Sequence, residues 1–145
     1  MRGDRTRERG AALVEFAVLA PLLVFLIFGI IEFGWLFGQY NDIRHAAREG
    51  ARFAAVDAAS AADIAQRVCD TTEGFGAGMD AIDVVVTDGG GEKGDMASIV
   101  VTGHIGSLTN VPIITVFTPD ALSSDVVFRL EQTASWTSDT LMNTC

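Results

Sequence analysis

The stretch RGAALVEFAVLAPLLVFLIFGIIEFGWLF, residues 9–37, decides the fold of this 145-residue chain. From Phe16 to Gly38 the only ionisable side chain is that of Glu32, and 15 of the 23 residues are Leu, Ile, Val or Phe. A helix of this length rises about 34 Å, enough to cross a hydrocarbon core of about 30 Å. The large apolar residues favour insertion by about 5–9 kcal/mol, whereas an off-centre carboxylate costs less than about 3.5 kcal/mol. The stretch therefore predicts a membrane-spanning helix over about 16–38.

Two alternatives to a retained span are a buried core helix and a cleaved secretory signal. The apolar run is longer than the hydrophobic region of a signal peptide, which has about 7–15 residues. The sequence that follows, FGQYNDIRHAAREGARFAA (37–55), continues in a helical pattern and has no small-residue cleavage site followed by a loop. We therefore expect a retained anchor.

The first ten residues, MRGDRTRERG, contain four arginines and two acidic residues. Arginine-rich flanks stay on the cytoplasmic side of a membrane. This asymmetry predicts a cytoplasmic N-terminus and an extracytoplasmic location for the residues after about Tyr40.

A second pattern lies at the start of the span. The basic leader ends at Gly10, Glu15 follows five residues later, and Phe16 comes next, before the long apolar run. This pattern resembles the class III signal of type IV pilins, which a membrane aspartic peptidase cuts after the glycine. The segments 9–34 and HAAREGARFAA (45–55) resemble the TadE-like family, minor pilins or pseudopilins of the Tad/Flp (type IVc) pilus. The resemblance covers about the first 55 residues, and the rest of the chain matches only in general plan.

The resemblance implies cleavage by a prepilin peptidase between Gly10 and Ala11, with Glu15 and Phe16 in recognition and assembly. The new amine of Ala11 would be mostly cationic at neutral pH, since its ordinary pKa is near 8. Glu15 would lie about 6 Å further along the helix. Its carboxylate would then neutralise the amino terminus of a neighbouring subunit, or that of its own chain. A simpler alternative is a carboxylate favoured by the helix dipole.

Pro21 removes one backbone hydrogen bond from the predicted span, and we expect a helix kink there. By resemblance to pilins, the kink would accompany local opening of the helix during packing into a filament. The alternative is a tolerated kink without a role in assembly.

The sequence after the span predicts more helix. From Asn41 to Asp57 small residues recur at three- and four-residue spacing and predict a stripe for close packing, formed by Ile43, Ala46, Ala47, Gly50, Ala51 and Ala54. Ser60 to Asp63 resembles a capping box and predicts a helix through Cys69, followed by a loop over 72–78.

Segments 81–87 and 96–105, joined by the glycine-rich 88–95, predict a β-hairpin, and 124–136 alternates as a third strand. The apolar segment 112–117 predicts either a strand or a patch lying on the membrane or a partner. The fold class is therefore α+β, a long N-terminal transmembrane helix continuing into a pilin-like ectodomain with a three- to four-stranded antiparallel sheet. The expected divisions are a leader (1–10), a long helix (11–58) and an extracytoplasmic domain (59–145).

The chain has two cysteines, Cys69 and Cys145. Outside the cytoplasm an even count permits a disulfide, which would tie down the C-terminal tail. Two free or intermolecularly paired thiols are the alternative, and we favour the bridge.

Nothing in the sequence predicts an enzyme. The two histidines, His45 and His104, form no triad or metal-ligand pattern. The glycine run lacks the residues of a phosphate loop and the spacing of an EF-hand. The formal charge of −9 becomes −11 once the four arginines and two acids of the leader are removed, which disfavours nucleic acid as a partner. We expect no metal, no cofactor and no small-molecule substrate.

The expected function is that of a minor pilin or pseudopilin, processed by a prepilin peptidase in the bacterial inner membrane. Its partners would be the membrane, other pilin subunits and the Tad assembly machinery, and its role would be to initiate, prime or cap an adhesive pilus. Two alternatives remain open. One is a permanently anchored envelope protein with a ligand- or protein-binding ectodomain, and the other is a pseudopilin of a secretion system.

Overall fold

A single helix, α1 (Asp4–Val56), dominates the computed structural model of the protein. The structure describes residues 4–56, 60–73, 79–106, 108–109, 116–141 and 145. The helix has 53 residues and is therefore about 80 Å long. It starts inside the basic leader and continues through Pro21. Its most apolar 18-residue window contains no buried residue and is long and apolar enough to cross a membrane.

The second half of α1 packs against a short helix and a sheet. The elements that follow α1 are α2 (Ala61–Glu73), β1 (Met79–Thr87), β2 (Met96–Ile105), β3 (Ala121–Arg129) and β4 (Asp139–Leu141). The four strands form one antiparallel sheet in the order β3-β2-β1-β4. The expected α+β class, with a long apolar helix followed by an antiparallel sheet, is confirmed.

The core lies between one face of this sheet, α2 and the small-residue stripe of α1. Every member of the predicted stripe is buried: Ile43, Ala46, Ala47, Gly50, Ala51 and Ala54. Opposite them, β1 and β2 supply alternate residues to the core: Ile82, Val84, Val86, Ala97, Ile99 and Val101. Small side chains on α1 let the helix approach the sheet closely. A Cβ atom added to Gly50 would lie only 2.9 Å from the Cδ1 atom of Ile99, which shows how little space remains between them.

Ser60 caps the start of α2 as expected, but the second bond of a capping box, from the Ser60 backbone N–H to the Asp63 carboxylate, is replaced by a bond from the Ser60 hydroxyl. The backbone N–H of Asp63 donates to Ser60 Oγ at 3.2 Å, and Ser60 Oγ–H donates to the Asp63 carboxylate at 2.8 Å. The predicted loop over 72–78 is wrong at its start, because α2 continues to Glu73. Thr72 stays in the helix with its hydroxyl buried and bonded to the carbonyl oxygens of Val68 and Cys69. Residues 74–78 lie outside the described residues.

The strand bounds differ from the expectation at β1, which begins at Met79 instead of 81, and at β3, which spans Ala121–Arg129 instead of 124–136. Leu130 still pairs with the glycine-rich loop, since its N–H donates to Asp95 O and its carbonyl accepts from the Gly94 N–H. The next residues, Glu131 and Gln132, bond to the last carbonyl groups of α1 instead, so the strand does not continue to 136. The three residues of β4 pair with β1 and were not anticipated. Positions 57–58 and 112–115 of the predictions lie outside the described residues.

The segment after β3 caps the C-terminal end of α1. The last carbonyl groups of a helix have no partner within the helix. Here Ala54 O accepts from Trp136 Nε1 at 3.3 Å and Ala55 O accepts from the Glu131 N–H at 3.1 Å. Val56 O accepts from the side-chain amide of Gln132. These bonds fix the direction of α1 relative to the sheet.

Candidate membrane and assembly site

The residues predicted for processing and assembly lie together at the start of the apolar part of α1. Gly10, Ala11, Glu15 and Phe16 are all helical and all exposed. Glu15 lies four positions after Ala11, so their backbones are about one turn, or 6 Å, apart along the helix. Among the side chains that the structure describes, none bonds to the Glu15 carboxylate. The arrangement therefore presents an accessible carboxylate next to the predicted cleavage position, while cleavage itself stays a prediction.

The helix surface around and after this site is apolar and uncovered. The side chains of Leu13, Phe16, Leu19, Leu23, Phe25 and Ile30 are examples of large apolar groups with more than a third of their area exposed. Pro21 lies within this surface and is also exposed. The helical assignment is unbroken on both sides of it, and the predicted kink stays a prediction.

Glu32 marks the point where the ectodomain first meets α1. It is the first buried side chain among those described along this helix, with 2% of its area exposed. Its Oε1 atom accepts from the backbone N–H of Leu108 at 3.0 Å. Its Oε2 atom accepts from the backbone N–H of Thr109 at 3.0 Å and from the hydroxyl of Thr109 at 2.7 Å. Two successive backbone donors and a hydroxyl thus surround one carboxylate.

This contact explains how an apolar helix tolerates Glu32. A carboxylate removed from water is costly unless it is hydrogen-bonded, and successive backbone N–H groups form a favourable concave site for an anion. Sequence reasoning gave Glu32 no role because its donors lie 76 and 77 residues away in the chain. The only signal was the cost of an unexplained charge within the span.

Further along α1, an ion pair joins α2 to α1, and a disulfide joins α2 to Cys145. Arg67 of α2 donates to Glu49 of α1 at 2.6 Å. This hydrogen bond lowers the pKa of the Glu49 carboxyl. Cys69 and Cys145 form a disulfide, with Cα atoms 5.7 Å apart, so the favoured alternative of the sequence analysis is the one that the structure contains.

The described part of the chain contains no group of three or more His, Cys, Asp or Glu residues placed to hold a metal ion. His104 and Asp83 lie 3.1 Å apart across β1 and β2 at the surface. Among the described residues, the features that bear on function are the apolar helix with its exposed carboxylate and the contact at Glu32.

The comparison with protein families agrees with the helix. The TadE-like protein model matches residues 10–52, a region that lies wholly within α1 and begins at the glycine of the predicted cleavage position. No curated protein and no solved structure matches the chain significantly. Together, the single N-terminal apolar helix and the family match indicate a membrane-anchored, Tad pilus-associated protein whose helix from Gly10 to Arg52 is similar to the TadE-like family.

Proposed function

We propose that the protein is a minor pilin or pseudopilin of a Tad-type adhesive pilus, cleaved by a prepilin peptidase between Gly10 and Ala11. The observation that carries the proposal is the family match, which begins at Gly10 and contains both Glu15 and the apolar span. After cleavage the helix would start with the cationic amine of Ala11. The arginine-rich leader would stay in the cytoplasm, and the sheet would lie outside the inner membrane.

The exposed apolar surface of α1 supports a role in assembly. A single-pass helix in a bilayer is surrounded by lipid, and in a filament the same surface would pack against the helices of other pilin subunits. Glu15 lies at the edge of this surface, where a lone carboxylate is costly. The amino terminus of a neighbouring subunit would offset that cost, and the pairing would set the axial position of one helix against the next.

The folded ectodomain supports a minor role, because it would occupy much more space on a filament than a bare helix. We infer that the protein acts at initiation, priming or capping of the pilus. Its partners would be the other pilin subunits, the Tad assembly machinery and the peptidase.

The test replaces Glu15 and measures how much of the protein enters sheared pili. At an effective dielectric constant of about 20, two charges 4 Å apart attract by about 4 kcal/mol before desolvation. When desolvation leaves one third of this attraction as net stabilisation, the equilibrium constant for assembly rises about tenfold. We therefore expect Glu15→Gln to reduce incorporation about tenfold, while the amount in the membrane is unchanged.

Two variants serve as controls. Glu15→Asp retains the charge and should retain part of the incorporation, whereas Glu92→Gln removes an exposed carboxylate from the glycine-rich loop and should have no effect. Normal incorporation of Glu15→Gln would contradict the pairing. If no variant, including the wild type, is found with pili, the anchored-envelope alternative replaces the proposal.

A further inference from the structure

The described residues between β2 and β3, namely 106, 108–109 and 116–120, are here named the β2–β3 loop. Its first part is tied to α1 by the three hydrogen bonds from Leu108 and Thr109 to Glu32. Glu32 precedes Gly38, the end of the predicted span, by six residues, or about 9 Å along the helix. The loop therefore reaches α1 at a level that belongs to the apolar span.

The second part of the loop returns to the same level. Thr118 and Pro119 line a small cleft together with Glu32, Trp35 and Leu36 of α1. The base of the loop is closed where the N–H of Ile105 donates to Asp120 O at 3.0 Å. Both ends of the loop are thus fixed beside Glu32, and its depth follows from the position of α1.

Two neighbouring residues of the loop, Val116 and Phe117, are apolar and exposed, and they are named the tip below. Val116 and Phe117 have 77% and 70% of their areas exposed, and Leu108 is also exposed. Between His104 and Asp120 the sequence contains no ionisable residue. Large apolar side chains that are exposed beside a membrane-spanning helix are favoured among the acyl chains and at the headgroup boundary, because aromatic and aliphatic groups partition there from water.

We propose that the β2–β3 loop inserts into the leaflet nearest the ectodomain, with Phe117 and Val116 in contact with lipid and Glu32 holding the loop at that depth. The loop and α1 together would form a two-point attachment, which fixes the height and tilt of the sheet relative to the bilayer. The occupant of the apolar tip is lipid, because Thr118 and Pro119, the next residues in the chain, line a cleft with Glu32, Trp35 and Leu36 at a level of α1 that lipid surrounds in the anchored protein. The proposal does not depend on cleavage or on pilus assembly.

The test measures the depth of the tip by site-directed spin labelling. The full chain is reconstituted in phosphatidylcholine vesicles at low protein density, with a label at Phe117→Cys. The native cysteines form a disulfide and do not react with the label. Matched references are Leu23→Cys, an exposed position within the span, and Val127→Cys, an exposed position on β3 about six residues, or 20 Å, from the end of the strand nearest the loop.

We expect the label at Phe117 to collide more with oxygen than with a water-soluble nickel complex, as at Leu23, and the label at Val127 to show the reverse. A label at Phe117 that meets nickel as often as the label at Val127 would contradict insertion. Protection of Phe117 from both reagents would also contradict it, because it would place the tip against protein.

A second variant tests the part assigned to Glu32. Glu32→Gln removes the charge, and its amide NH₂ cannot accept from Thr109, so the loop should lose its fixed depth. With the label at Phe117, we expect nickel accessibility to rise toward that of Val127, while the disulfide and the buried environment of Trp136 show that the sheet is still folded. An unchanged depth in a folded Glu32→Gln protein would refute the role of Glu32.

Discussion

Replacing Cys145 by Ser should strongly destabilise the ectodomain, although the residue is exposed at the end of the chain. The substitution removes the disulfide to Cys69 and changes one surface atom. It therefore leaves the packing of the core almost untouched. Cys69 is a poorer choice because its side chain is buried, and its replacement would add a packing cost.

The magnitude follows from the length of chain that the disulfide closes. The cysteines are separated by 76 residues. In the chain-entropy model a loop of this length loses about 15 cal/mol/K when it is closed, which is about 4.5 kcal/mol at 25 °C. The whole loop lies after α1, so a helix that stays in the membrane does not change this value. We expect Cys145→Ser to lower the free energy of unfolding of the ectodomain by about 3–4.5 kcal/mol.

Urea unfolding of the full chain in detergent micelles provides the assay. In a Trp35→Phe background the fluorescence of Trp136, the other tryptophan, reports on the sheet, since its indole is buried against the end of α1. A urea slope of about 1–3 kcal/mol/M converts the expected loss into a midpoint lower by roughly 1–4.5 M. Wild-type protein treated with a reductant should unfold at the midpoint of the variant.

A loss below about 1 kcal/mol for Cys145→Ser would refute the reasoning, because a disulfide closing so long a loop is expected to contribute several times more. Quantitative labelling of two thiols in the unfolded wild type without reductant would refute it at an earlier step, by showing that the bridge is absent.

Two further predictions concern the packing of α1 against α2. Gly50→Ala places a methyl carbon 2.7 Å from the Cγ2 atom of Val68 and should cost about 1–3 kcal/mol in urea unfolding, whereas Gly38→Ala, which has open space, should not lower stability. Arg67 lowers the pKa of Glu49, so the ion pair stabilises the fold above the ordinary glutamate pKa and is lost as the pH falls through the lowered value. Because both groups are partly exposed, this contribution to the free energy of unfolding is at most about 1 kcal/mol. When the free energy of unfolding is measured between neutral and acidic pH, the Glu49→Gln variant should lack this contribution.

The features that sequence predicted well have a local cause. The length and hydropathy of α1, the N-cap at Ser60 and the strand 96–105 each depend on residues close together in the chain. The buried stripe from Ile43 to Ala54 also follows from helical spacing alone. These patterns also give the α+β class, since they separate the helical part of the chain from the strands.

The features that sequence missed depend on distant contacts. Glu32 acquires its partners only when the β2–β3 loop folds back on α1, and no local pattern contains that information. Likewise, β4 has three residues and forms because Val84–Val86 of β1 presents an edge to it. The early start of β3 at Ala121 was missed because Ser123, a polar residue that is exposed in the sheet, interrupts the apolar pattern just before the predicted start at Ser124.

The most direct test of the proposed function is the N-terminal residue of the protein in membranes, determined by mass spectrometry with and without the host's prepilin peptidase. The account predicts a chain that begins at Ala11 when the peptidase is present and retains the leader when it is absent. A chain that begins at Met1 in both strains would contradict processing. It would leave a single-pass anchor whose ectodomain carries the function.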